Sequence, residues 1–278
     1  MTTLADLDKR KPIPDRFANK VAIVTGGTAG IGLAIAQQLC HEGATVALSG
    51  LPADGEEAAG QLSQAGYPAA CFLGDMSQES FCEQIVRGVL ERFGRVDYLV
   101  NNAFSFVAES LDATRADWDR AFSVGPIAFA KMIQLVADPM EQQGGGAIVN
   151  LASISGHIAQ KSRWTYNMAK GAVNQLTKCA ALDLAPRGIR VNSISPAWIW
   201  TREVEKAAGG DRQKYEPIWG AYHMLGRLGR PVECAAATLF LLSDDARFIT
   251  GTDLPVDGGY LSMGPEGLGQ TAIIAGTK

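Results

Sequence analysis

Short apolar runs alternate along this chain with longer segments in which apolar residues recur every three or four positions. KVAIVTGG (20–27) is β-rich and ends in glycine; GIGLAIAQQLCHEG (30–43) then shows helical spacing and stops at Gly43. TVALSG (45–50), AACFL (69–73), VDYLVNNA (96–103), GAIVNLAS (146–153), RVNSISP (190–196) and TDLPVDGG (252–259) are further short runs, with helical spacing over 77–92, 114–140 and 162–186. Runs of this length bounded by glycine or polar residues predict strands, and the longer period predicts helices. Seven such runs, most of them separated by a helical segment, predict a seven-stranded, mostly parallel sheet with helices on both faces, a doubly wound α/β architecture. No composition break divides residues 20–259, so they read as one domain, with residues 1–19 a polar N-terminal extension and 260–278 a C-terminal tail. Residues 201–225 fit the alternation badly and carry a Gly-Gly and a Pro. In doubly wound sheets ligands bind outside the carboxyl ends of the strands, so an insertion there is a candidate substrate lid.

Composition narrows the functional classes. The 278 residues are 47% hydrophobic and 19% charged, which suits a soluble globular protein. A formal net charge of −4 with no Lys/Arg-rich block points to neither a nucleic-acid partner nor a basic membrane patch. The first residues lack an apolar signal region, and no apolar stretch reads as long enough to span a bilayer. Five scattered cysteines without a CxxC read as reduced thiols, and three histidines form no metal-binding cluster. The expectation is a cytoplasmic, metal-free protein.

TGGTAGIG (Thr25–Gly32) sits between the first strand and the first helix, with Gly26, Gly30 and Gly32 in a GxxxGxG spacing. Glycine lets the backbone approach a pyrophosphate without a Cβ in the way, and the following helix N-terminus presents unpaired N–H groups and a positive dipole end. Glycines also make plain tight turns; the position after a strand and before a helix favours the phosphate loop of a Rossmann-like fold.

Further motifs follow in order: GDMS with Asp75, NNA at Asn101–Ala103, Ser153 followed by Tyr166xxxLys170, SPAWIWT (195–201), and the block ending in VDGG. With this set the chain resembles the short-chain dehydrogenase/reductase superfamily in its single-domain form, over Lys20 to about Gly259. The resemblance implies a secondary alcohol/ketone oxidoreductase with catalytic Ser153, Tyr166 and Lys170. Tyr166 and Lys170 share a helix face at i, i+4. A phenol titrates near ~10 in isolation, and a nearby ammonium, with a positive nicotinamide, favours the phenolate. Tyr166 would exchange a proton with the substrate oxygen, Ser153 would hydrogen-bond that oxygen, and Lys170 would also bond the nicotinamide ribose. The resemblance implies cofactor contacts from Gly26, Thr28, Gly30, Ile31, Gly32, Gly50, Leu51, Asp75, Met76, Asn101, Asn102, Ala103, Tyr166, Lys170, Pro196, Ile199 and Thr201. For Asn101 a buried amide pinning neighbouring strands is an alternative or an additional role. The resemblance also implies a homotetramer or homodimer.

The chain departs from the family pattern at several places. Where the family has an Asn seven residues after the Trp, Trp118 is followed at that distance by Gly125, which cannot supply an amide to a proton relay; Gly125-Pro126 would still kink the helix. Phe104 and Ala197 stand where the family has glycines, adding bulk near the nicotinamide side. Gly50 replaces an NAD-type Asp, and Leu51 and Ala29 stand where NADP-type relatives carry cations. With no cation for a 2′-phosphate, and with Asp54, Glu56 and Glu57 nearby, the expected cofactor is NAD, with NADP left open.

Substrate contacts are expected from Phe104, Ser155, His157, Trp164, Trp198 and Arg202. His157, Lys161, Arg163 and Arg202, with Trp200 among them, would suit an anionic substrate group, although solvated surface charge explains them equally well. The expected substrate is a small polyol, sugar, cyclic alcohol or keto acid derivative. Two other classes remain: a non-catalytic dinucleotide-binding regulator on the same fold, and a reductase of C=C bonds. Tyr260, Leu261, Met263, Leu268, Ile273 and Ile274 make the tail apolar enough to pack on a neighbouring subunit.

Overall fold

The computed structural model describes residues 10–269, apart from 53, 54, 56, 58, 59, 61, 63, 64 and 68. Asp54, Glu56, Ile273 and Ile274 lie outside the described residues, as do residues 1–9 of the N-terminal extension. The expected strands are present: β1 (Val21–Val24), β2 (Thr45–Gly50), β3 (Ala69–Leu73), β4 (Tyr98–Asn101), β5 (Gly146–Leu151), β6 (Ile189–Pro196) and β7 (Asp253–Val256). They form one parallel sheet in the order β3-β2-β1-β4-β5-β6-β7. The order reverses between β1 and β4, which opens a crevice at their carboxyl ends.

Side chains alternate across each strand, and β1 to β6 each feed two cores. Ile23, Ala47, Leu99, Ile148 and Val191 face α2 (Glu79–Phe93), α4 (Ala128–Gln142) and α5 (Trp164–Leu184). Ala22, Val24, Val46, Leu48, Val100 and Val149 face α1 (Gly30–His41) and α8 (Pro231–Leu242), with Phe17 sealing the lower end. Burial on both faces is why the strands read as continuous apolar runs.

The helix expected over 114–140 is divided. Thr114 caps α3 (Arg115–Phe122) through a reciprocal capping box with Asp117. A π-type turn over Ser123–Ile127 follows, with Gly125 at φ −89°, ψ −113°, before α4 begins. Pro126 has no N–H to continue the ladder, so the kink expected at Gly125-Pro126 is present. The expectation that no segment is long and apolar enough to cross a membrane needs correction. Arg115–Gln142, 28 residues with a mean hydropathy of 1.2 in its most apolar window, is so by length and composition; 56% of that window is buried in the fold. Its apolarity serves the core: Phe129, Met132, Val136 and Met140 are almost fully buried.

Residues 201–225 supply two short helices, α6 (Arg202–Ala207) and α7 (Arg212–Gly220). The buried Arg230 guanidinium donates to Glu216 Oε1 (2.5 Å) and to the Leu228 carbonyl (3.1 Å), which ties α7 to the start of α8.

Candidate active site

The glycine loop is built for close approach. Thr25, buried at the end of β1, accepts from the backbone N–H groups of Asn102 (2.9 Å) and Ala103 (3.1 Å) through Oγ1. The Asn102 amide donates back to the Thr25 and Gly26 carbonyls (3.0 and 2.9 Å), so the loops after β1 and β4 are locked together. A Cβ on Gly32 would lie 2.2 Å from the Gly26 carbonyl oxygen, and one on Gly26, at φ +61°, would lie 2.8 Å from Ala103 Cα. Side chains are therefore barred from the loop's inner face. Gly30 opens α1 with its Cα side turned toward Thr201, 3.6 Å from a built Cβ. Thr201, after β6, and the glycine loop thus face each other. Ala29 offers no side-chain cap, and the first turn of α1 has no acidic residue, so its N–H groups and dipole favour an anion. These features fit the pyrophosphate of a dinucleotide.

Around this cradle, Gly50 ends β2 under Thr28, where a Cβ would lie 2.2 Å from Thr28 Oγ1, and Leu51 follows at 52% exposure. The Asp75 carboxylate accepts from Arg120 (2.5 Å) and from Ser77 N–H (2.9 Å). Those bonds hold its acid below the usual range, although partial burial opposes them. Met76 is buried; it packs in the core, and its sulfur lies 3.5 Å from Ser49 Oγ. Asn101 has the strand-pinning role: its amide donates to Asn150 Oδ1 (2.9 Å) across the β4–β5 pair, and Asn150 donates on to Thr177 in α5. Pro196 ends β6, and Ile199, buried, bridges to Gly229.

The Ser, Tyr and Lys meet at the carboxyl end of β5. Ser153 follows the strand in extended conformation, and its Oγ accepts from Ser155 N–H (3.1 Å), which leaves its own proton free to donate. Tyr166 lies in the first turn of α5. Burial pushes its phenol up, while a hydrogen bond with Ser153 and the Arg163 charge pull it down. The net direction is upward, so the expected depression of Tyr166 by its lysine is not present in the protein alone. Lys170, 4% exposed, sits a turn later; Nζ donates to the Leu151 carbonyl (2.8 Å), and burial pushes the amine down to about 7. Its Nζ lies 3.9 Å from the Phe104 ring centroid and 5.8 Å from that of Tyr166.

The expected substrate residues separate into two groups. Phe104 packs edge-on against Tyr166 (5.3 Å between centroids). Trp198 stacks on Trp219 of α7 (5.1 Å) and carries Arg163 over its other partners, the guanidinium lying 5.9 Å from Trp198 and 5.4 Å from Phe106. His157 does not join them. Its Nε2 is engaged by Asp253 (2.9 Å), Asn174 (3.0 Å) and Ser195 (3.2 Å), because the short turn after Ser153 points the imidazole toward β6 and β7. Ser155 donates to Gln160 Oε1 (2.6 Å) and is buried; Trp164 is 50% exposed, and Arg202 is exposed at the start of α6. Phe106 and Trp219 were not expected. Phe106 lies 4.7 Å from the Tyr166 ring, and its place just after NNAF is the one sequence cue to it.

Comparison with known proteins agrees with this geometry. Residues 26–261 match a family model described as enoyl-(acyl carrier protein) reductase. Cyclopentanol dehydrogenase of Comamonas sp. (strain NCIMB 9872) is 36% identical over 88% of this chain and 98% of its own. The NADP-dependent (R)-specific alcohol dehydrogenase of Lentilactobacillus kefiri is 37% identical over 90% and 99%. Dehydrogenase/reductase SDR family member 4 of Oryctolagus cuniculus is 38% identical over 88% and 95%. The crystal structure of gox2181 superposes with a TM-score of 0.81 at 32% identity, covering 90% of this chain and 99% of that one. A parallel sheet reversing between β1 and β4, a glycine cradle at that reversal, a Ser–Tyr–Lys set one strand away and these full-length relatives place the chain in the short-chain dehydrogenase/reductase superfamily.

Proposed function

We propose that the protein is an NAD(P)-dependent oxidoreductase that interconverts a secondary alcohol and a ketone, with Tyr166 as its acid/base. The observation that carries this reading is the meeting of Ser153, Tyr166 and Lys170 beside the glycine cradle. A nicotinamide dinucleotide held through its pyrophosphate by the cradle would supply the hydride acceptor for oxidation and the donor for reduction. In reduction, the Tyr166 hydroxyl gives its proton to the carbonyl oxygen as that oxygen gains charge; in oxidation the phenolate takes the proton back. Ser153, its lone pair taken by Ser155 N–H, donates its own proton to the substrate oxygen and holds it beside Tyr166. Lys170, while protonated, offsets the phenolate charge. Gly26, Gly30 and Gly32 with the first turn of α1 would hold the pyrophosphate, and Thr201, across from Gly30, would close that side.

NAD is favoured by Leu51, which offers a 2′-phosphate no charge, although one relative is named as NADP-dependent. The aromatic wall of Phe104, Phe106 and Trp198, with α6 and α7 as a lid, suits a small, partly apolar alcohol. A homo-oligomeric, cytoplasmic enzyme completes the reading. Reduction of an enoyl C=C bond is a second reading, favoured by the description of the matching family model. The test is Tyr166→Phe assayed by NADH absorbance against cyclic alcohols, ketones and an enoyl thioester. Turnover of ketones and alcohols should fall by at least about a hundredfold, with cofactor binding retained. Near-normal rates, or turnover of the enoyl thioester alone, would refute the first reading.

A further inference from the structure

Phe104 and Gly125 are far apart in sequence and interlocked in space. The Phe104 ring stands edge-on to Tyr166, and its face covers the Lys170 ammonium at 3.9 Å. The same ring fills the space beside Gly125: a Cβ there would lie 2.5 Å from Phe104 Cε2, 3.1 Å from Cδ2 and 3.3 Å from Cζ. Any side chain at 125 therefore has to push the ring off the lysine. Lys170 lies among apolar groups, with the Leu151 carbonyl as its one hydrogen-bond acceptor among the described residues. The groups set against it are the rings of Phe104 and Tyr166 and the Leu151 carbonyl; no carboxylate is among these. An aromatic face attracts a cation through its quadrupole, most strongly where water is excluded.

We infer that Phe104 is a positioning residue that keeps Lys170 charged and in place through its ring face, and that Gly125 is glycine because that ring needs the space. This rests on the proposed acid/base role of Tyr166. Phe104 touches the lysine, and the lysine's charge acts on the phenolate. Losing the ring face makes Lys170 easier to deprotonate, so the pH above which the phenolate has no cation beside it moves down.

The test compares Phe104→Leu, Phe104→Tyr, Gly125→Ala and the Phe104→Leu/Gly125→Ala double variant as purified full-length enzymes. Each is read by the pH profile of kcat/KM for alcohol oxidation and by the pH dependence of the melting temperature, with Lys170→Met as the blank. Leu keeps the bulk and excludes water but has no π face, so the Lys170 limb should move to lower pH by about one unit. Phe104→Tyr keeps a π face, so its Lys170 limb should stay at the wild-type pH, whatever its rate. Gly125→Ala should shift like Phe104→Leu, and the double variant should shift no further than Phe104→Leu alone. An unmoved profile in Phe104→Leu, with only a lower melting temperature, would overturn the inference, as would additive shifts in the double variant. If Gly125→Ala does not fold, the contrast between Leu and Tyr at 104 decides alone. Failure of the acid/base reading itself shows separately, as Tyr166→Phe retaining turnover.

Discussion

Replacing Lys170 by Met should inactivate the protein and stabilise it at the same time. Burial lowers the Lys170 amine from 10.5 to about 7. At about 1.4 kcal/mol per pH unit, that drop corresponds to roughly 5 kcal/mol of penalty for carrying the charge in the fold. The Phe104 ring face returns about 2 kcal/mol, and a charged bond to the Leu151 carbonyl about 1.5 kcal/mol. Methionine has a similar length, no charge and no desolvation cost, so the net gain below neutral pH is about 1.5 kcal/mol. For a chain of this size that raises the melting temperature by roughly 3–6 °C. The sign with pH follows from proton binding. Between about 7 and 10.5 the unfolded chain holds a proton on Lys170 that the folded protein has lost. Wild-type stability therefore rises across that window, while the variant lacks this contribution. The variant's advantage should be largest near about pH 6, vanish near about pH 8 and reverse by about pH 10, followed by thermal melts and urea titrations in a pH series. A variant that is less stable at low pH, or a difference that does not change with pH, would refute the burial argument. Retained alcohol oxidation would refute the role of the charge.

Other outcomes follow from the cradle and its surroundings. Leu51→Arg should shift kcat/KM toward NADP(H), because a guanidinium there meets the 2′-phosphate; a wild-type enzyme already preferring NADP(H) would contradict the NAD assignment. Gly32→Ala drives a Cβ to 2.2 Å from the Gly26 carbonyl oxygen, so dinucleotide affinity measured by calorimetry should fall by at least about tenfold. Deleting residues 261–278 should weaken the oligomer in sedimentation or raise the substrate KM. Tyr260 already packs on His223 within the chain (5.5 Å between centroids), so unchanged assembly, melting and kinetics would make the remaining tail a passenger.

The sheet, its helices and the glycine loop were legible because each has a local cause. Burial on both faces writes a strand as a continuous apolar run, an amphipathic helix repeats every three or four residues, and a pyrophosphate loop needs glycine at fixed places. Ser153, Tyr166 and Lys170 were legible through the resemblance to a known family; local pattern alone places Tyr166 and Lys170 on one helix face. Only the tertiary structure decided what surrounds them. His157 lies four residues from Ser153 yet faces Asp253, a pairing set by the register of β6 against β7 and invisible to any local period. The Asp75 carboxylate, which the resemblance implies as a cofactor contact, accepts from Arg120 of a helix 45 residues away. Phe104 and Gly125 read in sequence as two unrelated departures from the pattern. In space they are complementary, because packing acts on volumes and the ring at 104 occupies the space that a side chain at 125 would need.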